Sequence, residues 1–340
     1  MNTKLSSALA PEEIAMLARA VSRAPSVHNS QPWELAVSDT GIDLRLRRMV
    51  LRYHDPDGRD QLMSCGAALT HLELAVRALG RECEVELPEC GPVVATVRPG
   101  AGAPATAAEM ALYRAIPLRR SHRRAFKPWP VAEARVSSVA GGAGEGAVVV
   151  RNADDLRELA GMLGVATLVF RDNPAYQREL AVWTAHTFGD HALGASDGIP
   201  EEALSPEALP VAGLIRGDTP VPDDFVLAER LAAENLVLIC TPGDTRRDHI
   251  EAGRALERAW LRVTALGLAG SVITQPLHLT GFRARLSRRL KLGGLPQAIL
   301  RFGYPAVPAP PSPRLPLGEL FQDKTAGTAT AARPAPDMES

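Results

Sequence analysis

Apolar residues recur at helical spacing in several stretches of this chain and alternate at strand spacing in others. Pro11 to Ser22 carries Ile14, Leu17, Ala18 and Val21 on one face, with Pro11 in the first turn and Glu12 and Glu13 at the positive end. A helix is expected there. Leu35–Val37 and Ile42–Leu46 alternate around Ser38-Asp39-Thr40-Gly41, which predicts a hairpin. Asp55-Pro56-Asp57-Gly58 then introduces a long helix ending at Gly80. Leu62, Cys65, Leu69, Leu72, Val76 and Leu79 make its apolar stripe. Strands are expected at Cys83–Leu87 and Val93–Val97, and Pro99–Thr106, rich in Gly, Pro and Ala, reads as a linker. Further on, helices are expected at Arg151–Leu163, Pro174–Thr187 and Asp244–Leu266, and strands at Leu236–Cys240 and Ala298–Phe302.

One pattern occurs twice. Cys65–Gly80 aligned with Ala252–Gly267 gives eight identities in sixteen positions, including Gly66/Gly253 and Gly80/Gly267. Both helices close on Ala-Leu-Gly. The expectation is an α+β chain built from a duplicated helix-plus-sheet unit, so that one chain mimics a two-fold dimer.

Composition narrows the class. Hydrophobic residues make up 46% and charged residues 23% of the 340, with a net charge of −1. A nucleic-acid or anionic-membrane binder is not expected from that balance. No apolar run reaches the roughly 18 residues of a membrane span, and the N-terminus lacks a signal-peptide core, so a cytoplasmic protein is expected. Cys65, Cys83, Cys90 and Cys240 show no C-x-x-C spacing and read as reduced thiols. No metal site is expected: His186 and His191 are five apart, off a common helix face.

Two stretches carry chemistry. Ala24–Trp33 reads APSVHNSQPW. Its prolines restrict the backbone, and Ser26, Asn29, Ser30 and Gln31 favour caps and turns that gather backbone N–H groups. It reads either as a loop that meets an anion or planar polar ligand, or as a turn capping a core. Ile116–Phe126 places four arginines within six residues, Arg119 to Arg124. Guanidinium forks match phosphate oxygens, and a solvated basic patch has the same composition. Gly194–Gly198 matches G-x-S-x-G but lacks the strand before it, and GGAGEG at 141–146 precedes a strand it should follow.

Both stretches resemble the nitroreductase family. Pro25-Ser26, Asn29 and Gln31-Pro32-Trp33 are similar to its flavin-contacting loop. The form with His28 before Asn29 resembles the stress-associated branch of the mycobacterial Acg type. Arg119-Arg120-Ser121 resembles the element that holds the phosphate of FMN. The resemblance implies one FMN, bound non-covalently between two nitroreductase-like halves with mixed, mostly antiparallel sheets flanked by helices. The halves are residues 1–110 and 111–318, with a disordered tail at 319–340. It assigns Pro25, Ser26, Val27, His28, Asn29, Ser30 and Gln31 to the flavin, and Arg119, Arg120, Ser121, Arg123 and the tail residue Arg314 to its phosphate. Thr274 and Gln275 lie in the segment that runs past the ring. His28 and His122 lie inside the motifs, as ligand donors or as structural histidines. Phe188–Pro210, with Asp197-Gly198-Ile199-Pro200, is expected to be a lid or a plain surface insertion. The family arranges the arginine motif before the loop. Here the order is reversed and each motif occurs once, which implies a single flavin site per chain. The implied activity passes electrons from NADH or NADPH through flavin to a quinone or nitro compound. The alternative is a silent, flavin-sequestering stress protein. Further dimerisation of the pseudo-dimeric chain stays open.

Overall fold

The computed structural model describes residues 9–47, 51–188, 199 and 208–321. Each expected helix forms, packed through its apolar stripe against a sheet or another helix. Helix α1 (Pro11–Val21) precedes the hairpin β1 (Trp33–Ser38) and β2 (Gly41–Leu46). The long α2 (Arg59–Ala78) leads to β3 (Arg81–Glu86) and β4 (Val93–Gly102). These four strands form one antiparallel sheet in the order β1-β2-β4-β3. Its core joins Leu17 and Val21 of α1 to Leu69, Leu72 and Val76 of α2 and to Leu35, Leu44 and Val97 of the sheet.

Helices α3 (Ala107–Ala115) and α4 (Glu133–Ala143) lead to β5 (Ala147–Val150). There follow α5 (Ala153–Arg171), α6 (Pro174–Phe188), α7 (Asp224–Ala232), β6 (Asn235–Thr241) and α8 (Arg246–Ala265). The chain then forms β7 (Ala269–Ile273), α9 (Thr280–Arg289) and β8 (Leu295–Gly303). The second sheet is also antiparallel, with the corresponding order β5-β6-β8-β7. It is covered on both faces: one core includes Val136, Leu256 and Trp260, the other Leu159, Leu227 and Phe282. That explains why β6 and β8 are buried along almost their whole length, while β3 alternates between half-buried and exposed positions.

The aligned residues of α2 and α8 occupy corresponding places. A Cβ on Gly66 would lie 2.1 Å from the Ile250 carbonyl oxygen, and one on Gly253 would lie 2.0 Å from that of Met63. Both glycines therefore let the two helices cross in backbone contact. Gly80 and Gly267 each stop their helix in the left-handed region, at φ 74° and 72°. The pairings β2–β4 and β6–β8 each shift register once, at Leu44/Arg45 and at Ile239/Cys240.

Some boundaries differ from expectation. The stretch read as a linker from Pro99 is largely strand: β4 runs to Gly102, with Pro99 opposite Cys83. Proline fits there because the ladder is irregular between Arg81 and Cys83. Both sheets are antiparallel among the described strands, and parallel pairing is limited to the isolated bridges Leu35–Phe321 and Ser121–Gly270. Of the expected disordered tail, residues 319–321 are placed, with Leu320 buried against the first core; residues 322–340 lie outside the described residues. The expected lid also falls largely outside them, at 189–198 and 200–207.

Candidate functional site

Three segments from different parts of the chain converge at one place. The first is the loop after α1. His28, Asn29 and Gln31 have φ of 47°, 58° and 49°. A side chain in this left-handed region costs about 1–2 kcal/mol per residue, so the surroundings must impose it. Local bonds do so in part. The Gln31 N–H donates to Ser26 Oγ (2.9 Å), and the Val27 N–H donates to Ser64 Oγ (3.2 Å) of α2. The tail does the rest: Asn29 Nδ2 donates to the Pro313 carbonyl (2.9 Å), and the Leu315 N–H donates to Gln31 Oε1 (3.0 Å). Asn29 and Gln31 thus spend their amides on a strap, residues 313–315. Pro25, Ser26 and Val27 are half-buried, and the Ser30 hydroxyl is buried with no hydrogen-bond partner.

The second segment is the arginine motif. Arg301, fully buried on β8, fixes it by donating from Nη1 to the His122 carbonyl and from Nη2 to that of Arg124, both at 3.1 Å. Glu234 neutralises Arg301. Ser121 bridges Gly270 of β7. Arg119 is buried over the Trp260 ring, 4.6 Å from its centroid. Its Nη2 donates to the Arg23 carbonyl (3.1 Å), and its Nε faces Glu257 Oε1 at 3.3 Å. Its Nη1 is buried without a partner. Glu257 is in turn held by His71 Nε2 (2.8 Å), whose Nδ1 donates to the Ala20 carbonyl (2.8 Å).

Arg314, on the strap, donates to the Ala24 carbonyl (2.7 Å), the Arg23 carbonyl and Asn29 Oδ1. Burial, then Arg119 and Arg23, push its guanidinium down to about 9. Burial and Arg119 push Arg123 down to about 10, and Arg123 has no hydrogen bond or ion pair among the described residues. Arg120 turns back to the Pro117 and Arg119 carbonyls (2.9 and 2.8 Å). Positive charge is therefore in surplus among the described residues: Arg119, Arg120, Arg123 and Arg314 lie together, and the buried Glu257 meets only Arg119 and Arg314. Such a cluster is stabilised by an anion with several oxygens.

The third segment is the start of α2 against the end of β7. Thr274 Oγ1 donates to Asp60 Oδ2 (2.7 Å), and Gln275 Nε2 donates to the His54 carbonyl (3.3 Å). Gln275 Oε1 is buried without a partner. Burial opposes the charge of Asp60, but His278 and Arg59 hold its carboxyl well below the usual range. His54 pairs with Glu179 through Nδ1 (2.7 Å) and meets His28 edge-on, ring centroids 4.6 Å apart. Burial first, then His54, keep His28 far below its ordinary value, with Arg123 adding to the effect and Asp60 opposing it. His28 thus lies within electrostatic reach of all three segments.

The sequence reading missed His54, Asp60, His71, Glu179 and Glu257. Asp60 follows the helix-start signal at 55–58, but only as a polar residue in a first turn. Glu257 and His71 occupy helix faces otherwise read as apolar. Asp55, Asp60 and His278 approach closely enough to share a cation. Asp55, however, accepts the N–H groups of Asp60 and Gln61 (both 2.9 Å) as a helix cap, and Asp60 is taken by Thr274, Arg59 and His278. The cluster serves to start α2 and tie it to β7.

No family model matches the chain. "Putative NAD(P)H nitroreductase Rv3131" of Mycobacterium tuberculosis (strain H37Rv) is 34% identical over 309 residues, spanning 88% of this chain and 87% of its own. "Putative NAD(P)H nitroreductase acg" of the same strain is 28% identical over 312 residues, spanning 88% and 92%. Among solved structures, the FMN-dependent nitroreductase NfnB from Mycobacterium smegmatis in complex with NADPH is 20% identical. It covers 63% of this chain and 98% of its own, with a TM-score of 0.41.

Proposed function

The chain belongs to the nitroreductase family, in its Acg-like branch, and from that premise we propose that it binds one FMN between its two halves. The observation that carries the reading is the surplus of positive charge around the buried Arg119 and the half-buried Arg120, Arg123 and Arg314, with Arg119 Nη1 and Arg123 lacking partners among the described residues. A dianionic phosphate ester suits that cluster, and so the residues fit the group. Arg119, Ser121, Arg123 and Arg314 would hold the phosphate, while Arg120 adds to the field from its bonds to Pro117 and Arg119. Pro25 to Ser30 would flank the flavin from the first half and Thr274 with Gln275 from the second. Asn29 and Gln31 serve by fixing the loop to the strap. The bound flavin would supply hydride acceptance from NADH or NADPH and electron delivery to a quinone or nitro compound.

The two halves, 1–110 and 111–318, are in this reading copies of one unit. Matching sheet order, matching glycines at the α2/α8 crossing and matching register shifts support it. Only one of the two pseudo-symmetric places carries both motifs, so one flavin per chain is expected. The test is an absorbance spectrum of the purified chain with its released flavin quantified. About one FMN per chain supports the site; two, or none after FMN is added, overturns it. Anaerobic titration with NADH and NADPH then tests turnover. Bleaching by dithionite but by neither nucleotide would replace the enzyme reading with a flavin store.

A further inference from the structure

Beside the cluster just described, α1, α3 and the strap enclose a cavity of about 610 Å³. Met16, Ala20, Ile116 and Leu315 give it an apolar interior, and Arg19, Arg23, Arg114 and Arg314 stand around it. No Asp or Glu lines it. Arg19, Arg23 and Arg114 are exposed, and their guanidiniums make no ion pair or hydrogen bond among the described residues. Arg19 and Arg23 sit four apart on the α1 side, and Arg114 faces them from α3.

We propose that this cavity binds a small anionic amphiphile, a carboxylate with an apolar body. Two properties of the wall select that chemistry. An inorganic anion would satisfy the guanidiniums but leave the apolar interior wet, and a neutral hydrocarbon would fill the interior but leave Arg19, Arg23 and Arg114 without a counter-charge. A carboxylate with a hydrocarbon body meets both demands, because the guanidinium fork takes its two oxygens and the interior takes its chain. An amphiphilic cation is repelled by the same wall.

The test is calorimetric titration of the full chain with decanoate, against decyltrimethylammonium at the same concentration. Decanoate is expected to saturate one site per chain, and the cation to give no binding heat. Arg19→Glu with Arg114→Glu, at positions outside the proposed flavin clamp, should weaken decanoate about tenfold or more. The urea midpoint of the double variant checks its fold. Should it drop, Leu317→Trp, a partly exposed position on the cavity wall, narrows the site without changing charge and should weaken decanoate likewise. Equal decanoate affinity in the folded variants, or equal binding of the cation, overturns the proposal. Loss of decanoate binding under saturating FMN also overturns it, since the cavity would then belong to the cofactor site. A chain that binds no FMN would still give a decanoate isotherm, so the two readings fail separately.

Discussion

At the scale of single residues, Glu257 organises the most charge. It is fully buried between His71 and Arg119, and its charge also reaches Arg314. Removing one partner of a buried ion pair typically costs about 3 kcal/mol or more, because the other charge is left uncompensated. Glu257→Gln is therefore expected to lower the urea stability of the flavin-free chain by about that much. A polyanion should recover part of it, since Arg119 would regain a counter-charge. His28 supplies a pH dependence. Its folded value lies well below the unfolded one, so near pH 6 the unfolded chain binds more protons than the folded chain. Stability thus rises with pH through this range and is lost as pH falls below about 6.5, by at most about 1.4 kcal/mol per pH unit for one proton. His122, lowered by burial, acts in the same direction. Melting temperatures between pH 5 and 8 should show the slope, and His28→Gln should flatten it in part. Burial also pushes the Cys65 and Cys83 thiols up to about 12, which keeps these two protonated.

At the scale of elements, the crossing of α2 and α8 holds the halves together. Gly66→Ala and Gly253→Ala each place a Cβ about 2 Å from a carbonyl oxygen of the other helix. Overpacking of this kind costs about 1–3 kcal/mol, and here the obstacle is backbone on both sides, so the upper end is expected for each. Gly141→Ala in α4 meets nothing within 4 Å and should be neutral or stabilising by up to about 1 kcal/mol. Urea denaturation of the three variants checks the contrast. The helix periodicities and the Ala-Leu-Gly stops were legible in the sequence because a stripe of apolar residues and a left-handed glycine are local requirements. Helices α3, α4, α7 and α9 were not legible, since their short, Ala-, Gly- or Arg-rich sequences take their stability from packing. Of the strap, the sequence offered only Arg314 as a tail residue expected at the phosphate; the bonds of residues 313–315 to Asn29 and Gln31, which make the strap part of the loop, exist only in the fold.

At the scale of the whole molecule, flavin binding and folding are one linked equilibrium. FMN contacts both halves in the proposed site, so it binds the folded chain alone. At a free concentration 100 times its Kd it should add about 2.7 kcal/mol of stability, read as a rise in Tm. Arg119→Ala with Arg123→Ala should weaken FMN by several kcal/mol, about a hundredfold or more, if both guanidiniums meet the phosphate. Unchanged affinity in a folded double variant would remove these residues from the site. Excess phosphate should raise the stability of the flavin-free wild type but not of that variant.

By itself the sequence determined which residues can do chemistry and which stretches must be helix or strand. Those properties follow from residue type and from spacing along the chain. It also carried the matched glycines of α2 and α8, because glycines at a close crossing and at a helix stop cannot be exchanged cheaply. Only the tertiary structure decided which charges meet. Glu257 and Arg119 are far apart in the chain, as are Gln31 and Leu315, and His28, Asp60 and Arg123. Burial then sets what each contact means. An exposed arginine cluster is ordinary, whereas a half-buried one with more guanidiniums than carboxylates among the described residues leaves charge for a ligand to neutralise.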